Sequence, residues 1–213
     1  MRIPLKLIAL AGVGFLSVGL SGCATMSRDE CRQGDWASVG QRDGATGYPP
    51  SRIEQHAEAC SSHGIAHNAA AYRVGWDRGI LQYCTPENGF ETGRRNENYH
   101  GLCPAQVVGP FLEGRQVGER LGAAERRLSS AEERLRSLGN ERNRLRDRFD
   151  ALRANRNLTE EARRNEASRI RERLSTIRID SDRAMFDIER ARYDLLPAQD
   201  AANAYLARIR RVR

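Results

Sequence analysis

The rhythm of hydrophobic and polar positions changes twice along the chain, and each change predicts a different kind of element. Leu7 to Gly19 is a mostly apolar run. Between Ala24 and Phe111 the apolar residues come in short groups interleaved with aromatics and glycines, and capping signals divide this stretch into helices. Asp29 is placed to cap a helix that runs through Trp36 to about Asp43 and stops at Gly44. Ser51, after Pro49 and Pro50, is placed to cap a second that ends near Ser62, with Gly64 beyond it. A third is predicted from near Asn68 to about Tyr83.

Past Phe111 the period becomes a heptad. Leu121, Leu128, Leu135, Arg142 and Phe149 take one core position, and Ala124, Ala131, Leu138, Leu145 and Leu152 the other. Ala154 to Thr159 interrupts the pattern, with Asn157 and Glu160 spaced as a capping box. A second set follows: Ala167, Ile170, Leu174, Ile177, Ser181, Ala184, Ile188, Ala191 and Leu195. Folding the two sets together sets Leu121 opposite Ala191, Ala124 opposite Ile188, Leu128 opposite Ala184 and Leu135 opposite Ile177. Large residues then meet small ones, which favours an intramolecular antiparallel hairpin over a parallel dimer with thin Ala124 and Ala131 layers. The expected fold class is mainly α, a small disulfide-stapled helical N-terminal module followed by a long antiparallel coiled-coil hairpin. Four segments result: 1–22, 23–111, 112–196, and a short basic final helix over 197–213, with Ala202, Tyr205, Ile209 and Val212 on one face.

Glycines follow aromatics at helical spacing: Trp36 with Gly40 and Gly44, Tyr72 with Gly75 and Gly79, Phe111 with Gly114 and Gly118. Each glycine costs a helix about 1 kcal/mol relative to alanine, so the repetition needs a cause. Close approach of a neighbouring helix backbone supplies one. Aromatic-and-glycine hairpins that bind membrane surfaces are the alternative, and they lack the alternation that strands require.

The N-terminal run reads as a signal. Arg2 and Lys6 form its basic start, the apolar segment is too short for a stop-transfer helix, and Leu20-Ser21-Gly22-Cys23 has the lipobox pattern. Cleavage before Cys23 and acylation of that residue are expected. Three acyl chains, at about 0.8 kcal/mol per buried CH₂, hold firmly where one would not. Ala24 rather than aspartate follows the cysteine, which points to the outer membrane and its periplasmic face.

Composition separates the two halves. Ala24 to Phe111 is near neutral, whereas Leu112 to Arg213 holds 25 Arg against 18 acids and no cysteine. Lys6 is the only lysine. Four cysteines remain after lipidation, Cys31, Cys60, Cys84 and Cys103, an even number suited to two disulfides in an exported module with few aliphatic residues. If successive helices pack antiparallel, Cys31 lies beside Cys60, while Cys60 and Cys84 are about 20 Å apart. The expected bridges are Cys31 with Cys60 and Cys84 with Cys103. His56, Cys60, His63 and His67 would share a face of one continuous helix, as a zinc site could use, but Gly64 interrupts it and disulfide is the default for Cys60. No metal and no cofactor are expected.

The series Cys31, Asp35-Trp36, Gly40, Asp43-Gly44, Gly47, His56, Cys60, Gly64, Tyr72, Gly75, Gly79-Ile80, Tyr83-Cys84, Gly89, Gly93, Tyr99 and Cys103 resembles the small bacterial lipoprotein domain known as the domain-of-unknown-function family numbered 2799. The resemblance covers about Cys23 to Gly118. It implies an envelope lipoprotein with a cysteine-stapled module, and it carries no activity, cofactor or catalytic residue.

Three classes of function remain. The first is a structural or interaction lipoprotein whose hairpin binds an envelope protein, peptidoglycan or lipopolysaccharide. The second is a polyanion or small-ligand module, using Arg208, Arg210, Arg211 and Arg213 as anion-binding candidates or a pocket near Trp36, Tyr72 and Trp76. The third is a glycan hydrolase using two of Asp35, Asp43, Asp77 and Glu91. No nucleophile elbow, phosphate loop or zinc hydrolase signature occurs, so no catalytic residue is assigned. An exported chain has no call for nucleic acid despite its charge. An apolar stripe exposed on the hairpin would favour the first class.

Overall fold

A computed structural model describes residues 25–211; the expected signal segment, Cys23, Val212 and Arg213 lie outside the described residues. The order is α1 (Arg28–Gln33), α2 (Trp36–Ala45), a 3₁₀ turn (Pro50–Arg52), α3 (Ile53–Ser61), α4 (Ala69–Tyr83), α5 (Pro86–Arg94), α6 (Ala105–Ala154) and α7 (Glu160–Arg211), with no strand among the described residues. None of these helices is long and apolar enough to cross a membrane.

Local chemistry sets the helix ends. The first helix expected from Asp29 to Asp43 is in fact two. Gly34 closes α1 in the left-handed conformation (φ 64°), and Asp35 then caps α2 by accepting from the Ser38 N–H. Ser27, not Asp29, caps α1, in a reciprocal box with Glu30. That box and the Arg42 charge hold the Glu30 carboxyl below its ordinary range. Asn68 caps α4 as its position predicts, and Thr85 with Pro86 starts α5, an element that the capping signals had left unassigned.

Two helix pairs make the module. α2 lies against α4 so closely that a β-carbon at Gly40 would fall 2.0 Å from the Tyr72 carbonyl oxygen, and one at Gly75 would fall 1.8 Å from that of Ala37. Gly44 and Gly79 make the same approach to Trp76 and Gln41. α5 and α6 repeat the arrangement: Gly89 against Phe111, Gly93 against Arg115, Gly114 against Pro86 and Gly118 against Phe90. The contacts advance in the same direction on both partners, so each pair is parallel. Every contact of the first pair maps onto the second, with α2 shifted by 49 residues (Gly40 to Gly89, Gly44 to Gly93) and α4 by 39 (Gly75 to Gly114, Gly79 to Gly118). The module is therefore a tandem repeat of one glycine-packed helix pair.

Around the first pair, Met26, Cys31, Trp36, Val39, Cys60, Tyr72, Trp76, Ile80 and Cys84 form the core. Disulfides join Cys31 to Cys60 and Cys84 to Cys103, with Cα atoms 5.5 and 5.6 Å apart. Phe111, fully buried, lies between the rings of Tyr83 and Tyr99 at 5.5 and 4.9 Å and connects the two repeats.

The hairpin differs from expectation at both of its module ends. No break separates module from hairpin near residue 111, because α6 starts at Ala105 and its first turns are the partner of α5. Nor does a separate helix begin after Pro197. α7 passes through that proline because the residues flanking it continue one buried seam, in which Leu195, Ala198, Ala202 and Tyr205 pack with Val117, Leu121 and Phe90. The turn is at 155–159, where Thr159, rather than Asn157, accepts from the Ala162 N–H. Glu141 pairs with Arg173 at 2.7 Å and Arg148 with Glu166, marking an antiparallel ladder centred on that turn. Along the seam Leu135 and Ile177 share a cluster, as expected, together with Leu138, Leu145 and Ala184, while Leu121 belongs to the cluster of Leu195, Ala202 and Tyr205 at the module end.

Alanine at Gly40, Gly75 or Gly118 forces two backbones apart and should destabilise the fold by about 3 kcal/mol or more, at or above the upper end of overpacking costs. Gly139, with open space around its Cα, should gain about 1 kcal/mol from the same change. Thermal melts of the four variants check the contrast.

Candidate interaction site and the buried polar centre

Asp43, His56 and Tyr72 are the polar residues buried deepest in the first repeat, at 8%, 3% and 1% exposure. The glycines bring them together: with α2 pressed onto α4, Tyr72 Oη reaches Asp43 Oδ2 at 2.7 Å. His56 on α3 places Nε2 2.8 Å from the same oxygen. A carboxylate only accepts, so Nε2 donates to it, while Nδ1 shares a hydrogen bond with the Thr25 hydroxyl at 2.8 Å. Arg52 stands 3.5 Å from the other carboxylate oxygen, with its guanidinium 3.6 Å above the Tyr48 ring. Burial, donation to Asp43 and the Asp43 charge, in that order, push the Tyr72 hydroxyl far above its ordinary range, so it remains a donor. Asp43 Oδ2 takes both the Tyr72 and the His56 bonds, Arg52 Nε is buried with only the ion pair to the other oxygen, and the chemical consequence is a clamp. It fastens Thr25, the first described residue, to α2, α3 and α4.

The other acids considered for hydrolysis have separate local roles. Asp35 caps α2, Asp77 pairs with Arg73 on the surface, and Glu91 lies 3.7 Å from Arg95. Trp36, Tyr72 and Trp76, expected beside a ligand pocket, are core residues, with Trp76 Nε1 donating to the Tyr48 carbonyl. Cys60 is bridged while His63 and His67 are exposed, and no group of three metal-ligating side chains occurs among the described residues.

At the basic end, Arg208 pairs with Glu113 and lies over the Tyr205 ring. Burial raises the Tyr205 hydroxyl above its usual range, with Glu113 adding to the effect. A cleft of about 410 Å³ opens there, with Glu87, Glu113 and Arg208 on its walls, two acids to one base rather than an anion cradle. Arg210 and Arg211 are exposed nearby, and Arg213 lies outside the described residues.

The unusual surface is on α7. In the heptad that buries Ile177, Ala184 and Ala191, the position farthest from the seam holds Ile179, Phe186 and Tyr193, exposed by 48%, 79% and 76%. Met185 and Leu196 flank them at 48% and 60%. Single exposed apolar side chains are ordinary, but three at successive outermost positions form a line about 21 Å long. On α6 the corresponding positions opposite this line, Arg126, Glu133, Asn140 and Asp147, are polar. Counting only the two core positions of each heptad misses this line; the interval of seven from Ile179 to Phe186 to Tyr193 was its signal.

Removing one partner of the polar clamp should be costly. Tyr72→Phe should destabilise by about 1–2 kcal/mol and Asp43→Ala by about 3 kcal/mol or more, since the latter leaves Arg52 and His56 without their acceptor. Chemical denaturation of each variant measures the order.

No curated protein and no solved structure matches the chain. A family model described as Protein of unknown function (DUF2799) does match residues 35–120, from the cap of α2 to the glycine-packed start of α6, and the match spans both repeats of the module.

Proposed function

We propose that this chain is a lipid-anchored lipoprotein of the outer membrane, facing the periplasm, with a structural or protein-interaction role in the cell envelope. The line of Ile179, Phe186 and Tyr193 on the hairpin is the observation that carries the interaction role. A solvated hairpin has no use for three large apolar side chains on its outermost face.

Anchoring rests on the Leu20 to Cys23 lipobox, and the clamp on Thr25 adds a geometric reason for it. Only Ala24 separates Cys23 from a residue fastened to the module, a span of about 7 Å. Acyl chains on Cys23 would therefore hold the module at the bilayer surface with little slack. α6 and α7 leave the second repeat as one continuous body, so the position of the module fixes that of the hairpin.

Cys23→Ser should abolish acyl labelling and leave unprocessed precursor, and the wild type should fractionate with the outer membrane. Normal cleavage of the variant, or a wild type without lipid, contradicts the anchoring. Phe186→Glu with Tyr193→Glu should leave anchoring and melting temperature unchanged while removing crosslinks from a photoreactive residue at position 190. Unchanged crosslinks contradict the role of the hairpin face.

A further inference from the structure

Around the apolar line the charges are sorted by side. One turn away from Phe186 on one edge are Asp182 and Glu189, and on the other edge Arg183 and Arg190. All four are exposed. Of these, Glu189 alone has an ion pair among the described residues, with exposed Arg192 at 3.0 Å. Such a pair is worth little and is easily exchanged. The face is thus an apolar stripe whose central turns carry two acids on one edge and two arginines on the other.

We infer that this face binds a second copy of the chain, side by side and parallel, with the two-fold axis along the hairpin. A rotation about that axis exchanges the margins, so Asp182 and Glu189 of each copy meet Arg183 and Arg190 of the other. Ile179, Phe186 and Tyr193 stack on their own counterparts. In an antiparallel pair the two-fold axis crosses the helices and each margin faces itself, carboxylates against carboxylates and guanidiniums against guanidiniums. Charges beside a seam decide orientation in this way, and isologous pairing needs only one self-complementary patch. A membrane surface suits the face less well, because helices that lie in an anionic interface border their apolar side with cations rather than with a row of carboxylates. The proposal rests on the envelope reading in one respect: two copies anchored by lipid at the same end of one membrane are already parallel.

The test uses the full-length lipidated protein in mild detergent. Sedimentation equilibrium should give a dimer, and Phe186→Glu with Tyr193→Glu should weaken it about ten-fold or more with an unchanged melting temperature. Arg183→Glu with Arg190→Glu should also weaken it. Adding Asp182→Arg and Glu189→Arg to that variant should restore it, since the margins are then exchanged. Under mild oxidation Tyr193→Cys should link to its own copy. An antiparallel pair would place it near Ile179, and Tyr193→Cys would link only when mixed with Ile179→Cys, which overturns the proposal. A monomeric wild type also overturns it, including one that binds vesicles of anionic phospholipid through the stripe. Loss of acyl labelling in Cys23→Ser would still support the anchored reading in that case, so the two failures are distinguishable.

Discussion

The closest approach in this molecule is between backbones, and the rest of the architecture depends on it. At Gly40, Gly44, Gly75 and Gly79, and again at Gly89, Gly93, Gly114 and Gly118, a helix backbone lies where a neighbour's side chains would ordinarily stand. No other residue fits, because a β-carbon would enter a carbonyl oxygen. Cα–H to carbonyl contacts at this distance contribute on the order of 0.5 kcal/mol each, and eight of them along two parallel pairs offset part of the cost of glycine in helices. Direction also follows. Contacts stepping four residues on both partners hold each pair parallel and in one register.

From that register come the features that position the hairpin. The first pair brings Tyr72 to Asp43 and lets α3 return across it, where Cys60 meets Cys31 and His56 reaches Thr25. In the second pair one partner is the first part of α6, so the hairpin is an extension of the module rather than a domain tied to it by a linker. The end of α7 closes the junction: Tyr205 lies 6.3 Å from Phe90, with Ala202 buried beside it. A hairpin rooted at both of its ends presents its outer face in a fixed direction, as pairing between copies requires.

Features with a local or periodic cause were legible in the sequence. Heptads gave the hairpin, Asn68 gave the start of α4, and the pairing expected of Cys31 and Cys60 is the one formed, although the helix it was argued from is two. The split between α1 and α2 was masked because Gly34 and Asp35 lie inside a run that otherwise reads as helical. Gly89 and Gly93 had no aromatic before them to complete the pattern seen elsewhere, so the second repeat was hidden. The Asp43 clamp depends on residues 13, 29 and 31 positions apart, of which the glycine contacts bring only Tyr72 to Asp43, while the Cys31–Cys60 bridge ties α3 and its His56 to the first helix. Continuity of α7 through Pro197 was a tertiary effect, in which buried Ala202 and Tyr205 outweigh a local breaker.

Dipolar electron spin resonance on the full-length protein reconstituted in membranes, with a nitroxide on Asn157→Cys at the tip of the hairpin, measures the arrangement directly. Parallel pairing along Ile179, Phe186 and Tyr193 places the two tips within about 30 Å, given helix spacings of 8–10 Å. Tips about 90 Å apart, as antiparallel pairing about Phe186 gives at 1.5 Å per residue, would contradict the account, and so would a signal without intermolecular coupling.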